Sequence, residues 1–297
     1  MNRENGCLKK LLSVFLALIM VFSLVGCKSD KGLIDDAEKH EGTELNQETE
    51  PVLEEEPEPI PDPRVPDTSK AYIYENNPKL TPVDYDSPAL LCLSEDMGQE
   101  YIDKMVFICD SPTYWMKPYG LLSGGKETTQ IWTGPTGTQT FPYYKGYKLL
   151  DPYDNTEKLV VNMAKEHQPE IMVIALGING IAKRSEESFT SIYKNLVEDL
   201  MDASPDSTVI CMSIYPISPK YKRWDIINNE VITRGNSWIM NVCNQTGAYY
   251  LDAAAALLGE DGNVIPELSK ADGFHPNKEG LEKVLEYIRT HAFYAER

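Results

Sequence analysis

Four short apolar runs, separated by segments of helical periodicity, constrain this chain more than any other feature. Met105 to Cys109, Ile171 to Leu176, Thr208 to Tyr215 and Ala248 to Leu251 are apolar and rich in β-branched residues. They lack polar alternation, the pattern of strands buried on both faces. Between and after them, Glu157 to His167, Ser185 to Ala203, Ile226 to Thr246 and Asn277 to His291 read as helices. The second places Phe189, Ile192, Tyr193, Leu196, Val197 and Leu200 on one face, and the last carries a stripe of Leu281, Val284, Leu285 and Ile288. Alternating strands and helices require a parallel sheet with helices on both sides, because right-handed crossovers place them there. The expected fold is therefore α/β, a three-layer α/β/α sandwich with a central parallel sheet, over residues 68–297.

The region before it has a different character. Arg3, Lys9 and Lys10 precede the apolar stretch Leu11 to Val25, too short for a comfortable membrane span and arranged as an export signal. It ends in Leu24-Val25-Gly26-Cys27, which resembles a bacterial lipobox; the resemblance implies acylation of Cys27 and cleavage before it, making residues 1–27 a lipoprotein signal. Residues 28–67 then read as a linker. Asp30 to Asp67 holds fourteen acidic residues against three basic ones, with six prolines, and buries too little apolar surface to offset its ordering entropy. The expectation is a protein held at the outer face of a cell membrane through Cys27. Residues 68–297 keep a net charge of −10, which argues against nucleic-acid binding, since phosphate contacts require a basic stripe.

Three polar motifs follow the apolar runs: Cys109-Asp110-Ser111, Leu176-Gly177-Ile178-Asn179-Gly180 and Asp272-Gly273-Phe274-His275-Pro276. In open parallel sheets ligands bind at the carboxyl ends of the strands, where these motifs fall. They supply a hydroxyl, an imidazole, a carboxylate three residues from that imidazole and an amide donor. A serine hydroxyl attacks an acyl carbon only when an imidazole takes its proton and a third group orients that imidazole. Each motif also has an ordinary structural role open to it: Ser111 as a helix cap before Pro112, Asn179 as a left-handed turn residue, Asp272-Gly273 as a turn.

The order Asp-Ser, Gly-x-Asn and Asp-Gly-x-His-Pro resembles the SGNH (GDSL-type) hydrolase family, over roughly Met105 to the C-terminus. The resemblance implies a flavodoxin-like sheet and catalysis without cofactor or metal. It makes Ser111 the nucleophile, His275 the base and later the acid, and Asp272 the orienting group. The oxyanion would be met by the N–H of Ser111, the amide of Asn179 and a glycine N–H, for which Gly137 is preferred over Gly134 because Gly134 precedes a proline. The sequence departs from the family pattern twice: Cys109 stands where a glycine is usual, and Gly180 where an aspartate is frequent.

The implied activity is that of a serine esterase releasing small acyl groups, such as acetyl, from a carbohydrate. An O-acyltransferase with the same triad is an alternative, as are a carbohydrate-binding lipoprotein with a decayed site and a scaffold whose acidic stalk binds a partner. The segment from Tyr114 to Tyr153 is rich in aromatic residues that either overhang the site or pack the insertion onto the domain. Cys92, Cys109, Cys211 and Cys243 lie in apolar surroundings without metal-ligand spacing and read as buried free thiols.

Overall fold

The computed structural model of the protein describes residues 65–137, 141–182 and 184–293. Its strands, in chain order, are β1 (Met105–Cys109), β2 (Ile131–Trp132), β3 (Lys148–Leu150), β4 (Glu157–Leu159), β5 (Ile171–Ala175), β6 (Thr208–Met212) and β7 (Tyr249–Leu251). Five form one parallel sheet in the order β2-β1-β5-β6-β7, while β3 and β4 pair as a separate antiparallel hairpin. With the hairpin set aside, the order is the 2-1-3-4-5 of flavodoxin-like doubly wound folds, whose switch point lies between the first and third strands. Here those are β1 and β5.

Both faces of the sheet are buried. Val106 and Ile108 of β1, Met172 and Ile174 of β5, and Val209 and Cys211 of β6 pack beneath helices Val160–His167, Glu186–Ala203 and Asn229–Thr246. The alternate residues Phe107, Cys109, Val173, Ala175, Ile210 and Met212 face the other layer, which contains helix Lys278–Thr290. This period-2 division between two cores explains the uninterrupted apolar runs. The flanking helices start where side chains accept otherwise unpaired N–H groups: Ser185 from Ser188, Asn228 from Val231 and Asn277 from Gly280.

Several elements differ from their sequence expectation. Glu157–Leu159 is strand rather than helix, because it pairs in register with β3 and the helix begins only at Val160. The run from Thr208 leaves the sheet after Met212. Beyond that point the N–H and C=O of Ile214 are taken by the side-chain amide of Asn236, at 2.8 and 3.0 Å, instead of by a neighbouring strand. The chain at Ala89–Leu91 was not anticipated as sheet; Tyr250 donates to Ala89 and Leu91 donates to Tyr250, each at 2.8 Å, covering the β7 edge.

The domain also begins earlier than Thr68. Leu93 donates to the carbonyl of Val65 at 2.9 Å, and Asp67 lies 3.6 Å from the ring of the buried His291, so the last residues assigned to the linker are part of the folded body. Residues 1–64, with the expected signal, Cys27 and most of the expected linker, lie outside the described residues. Among the described residues no helix is long and apolar enough to cross a membrane. Cys92, Cys109, Cys211 and Cys243 are buried free thiols.

Phe141, in the insertion between β2 and β3, lies directly over Gly180. A Cβ at position 180 would collide with its ring and with Pro142. The aspartate expected at this position from the resemblance therefore has no room here, and the short helix Ile178–Ile181 that carries Asn179 is covered by Phe141 instead. Gly180→Asp should cost about 1–3 kcal/mol of stability by overpacking. Urea unfolding checks this in a double-mutant cycle with Phe141→Ala, in which the cost of Gly180→Asp falls once the ring is removed.

Candidate active site

Ser111 begins the short helix Ser111–Tyr114, directly after β1 and one residue beyond Asp110. The Asp272–His275 loop arrives from the far end of the chain and sets His275 Nε2 2.9 Å from Ser111 Oγ. The other ring nitrogen, Nδ1, lies 2.8 Å from Asp272 Oδ2. With Nδ1 donating to the carboxylate, Nε2 is left as the acceptor of the Ser111 hydroxyl proton. Asp272 shapes its own loop as well, since its Oδ1 accepts from the N–H groups of Phe274 at 2.8 Å and His275 at 3.0 Å. Burial works to raise the Asp272 carboxyl, but these hydrogen bonds, the one from the His275 ring foremost, outweigh it and hold the group below its ordinary range.

The loop is anchored by residues that the sequence did not single out. Asn229 and Asn236 are both buried on one face of helix Asn229–Thr246. Asn236 clamps Ile214 as described, and Asn229 receives the N–H of Ile217 and donates to its C=O, each at 2.9 Å. The strand-like segment so held ends at Ser218, whose N–H donates to the carbonyl of Gly273 at 2.8 Å. Position and composition gave no warning of this, because an asparagine at helical spacing reads as solvent-facing.

Asp110 is the second unanticipated feature. It is 3% exposed, and burial pushes its carboxyl up to about 8, opposed in part by backbone N–H groups including those of Asn179 and Gly177. Its Oδ2 has no hydrogen-bond partner among the described residues. A carboxyl that meets the Asn179 turn from beneath ties the end of β1 to the end of β5, the two sides of the switch point. Beside it is a cavity of about 20 Å³ bounded by Pro112, Thr113, Leu176, Ile178, Ile217 and Phe274, large enough for one methyl group or one water.

The remaining expectations divide. Asn179 is exposed in the short helix Ile178–Ile181 that follows β5, not in the left-handed turn open to it from sequence, and so lies at the edge where a donor is required. Gly137 does not fit the role assigned to it, because its N–H already donates to the carbonyl of Gly134 at 2.9 Å, closing a turn. Gly134 lies two residues past the end of β2, and the hydroxyl of its neighbour Thr133 donates to the carbonyl of Cys109 at 2.8 Å, so it sits at the carboxyl edge beside β1. The Cys109 side chain fills the second core, where burial drives its thiol well above the ordinary range and makes it unfit as a nucleophile.

The aromatic insertion is split in the same way. Trp132, Phe141 and Tyr144 are buried in the first core, whereas Trp115, between Ser111 and Tyr119, lies with its ring centroid 6.4 Å from that of His275. Asp151, Glu166 and His167 gather metal-type ligand atoms within 4.8 Å. The cationic position among them is held by Lys158, whose ammonium is 2.8 Å from Asp151 and Asp154 and 2.7 Å from Glu166. This cluster staples β4 to the following helix.

Residues 137–283 match the model of the GDSL-like Lipase/Acylhydrolase family, a segment that contains Asn179, Asp272 and His275 and starts after Ser111. Among solved structures, matches include a protein from Streptococcus pneumonia described as a platelet activating factor, with 15% identity, 62% of this chain and 81% of that chain covered, and a TM-score of 0.47. A Bacteroides fragilis protein described as an acylhydrolase matches with 18% identity, coverage of 72% and 90%, and a TM-score of 0.42. A carbohydrate esterase family 3 protein from Talaromyces cellulolyticus matches with 17% identity, coverage of 62% and 92%, and a TM-score of 0.40. No curated protein matches the chain. A doubly wound sheet whose carboxyl edge carries these motifs defines an α/β acylhydrolase. The chain belongs to the SGNH/GDSL hydrolase family.

The raised Asp110 carboxyl has a consequence for stability. Between the unfolded value near 3.8 and the folded value of about 8, the folded protein holds a proton that the unfolded chain has released. Stability from this group is full below the lower value and is lost as pH rises towards the upper one, by at most about 1.4 kcal/mol per pH unit. Urea unfolding of the native protein and of Asp110→Asn across this range should give a difference that shifts in favour of the variant as pH rises.

Proposed function

We propose that the protein is a lipid-anchored, extracytoplasmic serine esterase that removes small acyl groups from a carbohydrate. The observation that carries the reading is the continuous hydrogen-bonded chain from Ser111 Oγ through the His275 ring to Asp272 Oδ2, with links of 2.9 and 2.8 Å. As His275 takes the hydroxyl proton, Ser111 Oγ bonds to the acyl carbon, and Asp272 stabilises the imidazolium without itself accepting the proton. The tetrahedral oxyanion is met by the N–H of Ser111, the side-chain amide of Asn179 and the N–H of Gly134, which replaces Gly137 in this role. Collapse expels the sugar alkoxide, protonated by His275, and leaves an acyl-serine. Water activated by the same imidazole then releases the acid and restores Ser111.

Two further features support parts of this reading. The cavity lined by Pro112 and Phe274, the chain neighbours of Ser111 and His275, has room for about one methyl group and is compatible with a short acyl group. The anchor rests on the sequence alone, on Cys27 and the acidic Pro-rich stretch after it. An intact Ser111–His275–Asp272 chain argues against a decayed binding site, since neither hydrogen bond serves carbohydrate binding. A transferase would use the same atoms with a sugar hydroxyl in place of water.

The purified protein incubated with a small acetyl ester should turn it over and form an acetyl adduct on Ser111, seen by mass spectrometry, while Ser111→Ala does neither and stays folded. Absence of turnover and adduct across short acyl esters would overturn the esterase reading. Asn179→Ala should lower kcat by about a hundredfold or more, and steady-state kinetics showing an unchanged kcat would remove Asn179 from the oxyanion site.

A further inference from the structure

Both flanks of the Asp272–His275 loop carry basic residues, in a domain whose overall balance is acidic. On one flank, Lys270 belongs to the loop itself, its N–H donating to the carbonyl of His275 at 2.8 Å. Its ammonium lies 3.1 Å from the ring centroid of Trp115, which in turn packs on Tyr119 at 5.5 Å and stands edge-on to His275. On the other flank, Ser218 holds Gly273, and Tyr221 lies against Phe274 with ring centroids 4.8 Å apart. Tyr221 is bracketed by Lys220, Lys222 and Arg223, all exposed, and the nearest acid in that run is Asp225.

Most lysines elsewhere in the domain are neutralised, as Lys158, Lys194, Lys278 and Lys283 are by adjacent carboxylates. Lys220, Lys222, Arg223 and Lys270 enter no ion pair among the described residues. Four cations without ion pairs, one in the histidine loop and three in the segment that packs on Gly273, on a background of −10, create a local positive field. Such a field acts over about a Debye length, roughly 8 Å at physiological salt. The ammonium on Trp115 is held in place by the ring rather than by a carboxylate, so its charge remains available to a ligand. The Trp115–Tyr119 and Tyr221–Phe274 pairs add apolar faces of the kind on which a pyranose ring stacks.

From this arrangement we infer that the substrate is an acyl ester of an anionic saccharide, with a negative group of the sugar taken up by Lys270 and drawn in by the basic segment Lys220 to Arg223. The inference rests on the esterase reading for its chemistry and on the charge distribution for its specificity. Binding needs no step beyond ion pairing and stacking, and the acyl transfer is unchanged.

The test uses acetylated oligogalacturonate and the same oligomer with its carboxylates methyl-esterified, which removes the charge and keeps the skeleton. Acetate release by the full-length protein should favour the charged form in kcat/KM by about tenfold at low salt. That preference should shrink in 0.5 M sodium chloride, in Lys270→Met and in the Lys220→Gln/Lys222→Gln/Arg223→Gln triple variant, while Lys270→Arg retains it. A ratio near one in the native protein overturns the inference, as does a preference that neither salt nor these variants alter. Should neither substrate be hydrolysed, the esterase reading is decided separately by turnover of the small acetyl ester and the Ser111 adduct. Titration calorimetry with deacetylated oligogalacturonate then decides the saccharide question: binding that weakens with salt and in Lys270→Met upholds it, and no binding refutes it.

Discussion

The hydrogen bond between Ser111 and His275 joins residues 164 positions apart, and almost everything in the architecture serves to make it possible. Parallel strands all end at one edge, so loops far apart in sequence converge there without any long connection across the core. Two of those loops bear the reacting groups. The third, carrying Asn179, faces them across the β1–β5 switch point. A bond of 2.9 Å between such distant residues tolerates little play, and the structure supplies rigidity through buried polar clamps rather than through loop length. Asn236 on Ile214, Asn229 on Ile217 and Ser218 on Gly273 form a relay from a core helix to the histidine loop. Each link occupies backbone groups that would otherwise be buried and unpaired, at a cost of about 1–3 kcal/mol apiece.

Electrostatics divide the site into a buried half and an exposed half. Beneath the reacting groups lies Asp110, whose carboxyl is kept neutral by burial and contacts the N–H groups of the Asn179 turn. Above them, Asp272 is held ionised by its hydrogen bonds to the His275 ring and backbone. The two aspartates thus adopt opposite protonation states within one edge of the sheet, for the physical reason that one is dehydrated without a cation and the other is half-exposed and hydrogen-bonded. The lysines around the loop that enter no ion pair among the described residues extend this pattern outwards, adding positive charge beside the approach to the site.

The insertion between β2 and β3 has been absorbed into the domain and does not simply hang over it. Phe141 fills the space above Gly180 and meets Phe189 and Tyr193 of a core helix edge to face, so the short helix carrying Asn179 is braced by aromatic packing. Two departures from the family pattern are accommodated in this way by the core: Gly180 by the ring laid over it, and Cys109 by the apolar layer into which its side chain points.

The sequence by itself determined the α/β sandwich, because buried parallel strands demand uninterrupted apolar runs and amphipathic helices demand their stripe, and both signals are local. It also determined that Ser111, Asn179, Asp272 and His275 follow strand ends, since motif order along the chain maps directly onto one edge of such a sheet. Local pattern misjudged Glu157–Leu159, whose strand state depends on pairing with β3. It chose Gly137 over Gly134 because the turn that consumes the Gly137 N–H is not written in composition. Only tertiary structure decided that Asp110 is dehydrated, that Asn229 and Asn236 hold the histidine loop, and that Lys270 rests on Trp115. Each of these depends on distance and solvent exclusion between segments far apart in the chain, and a linear string carries neither.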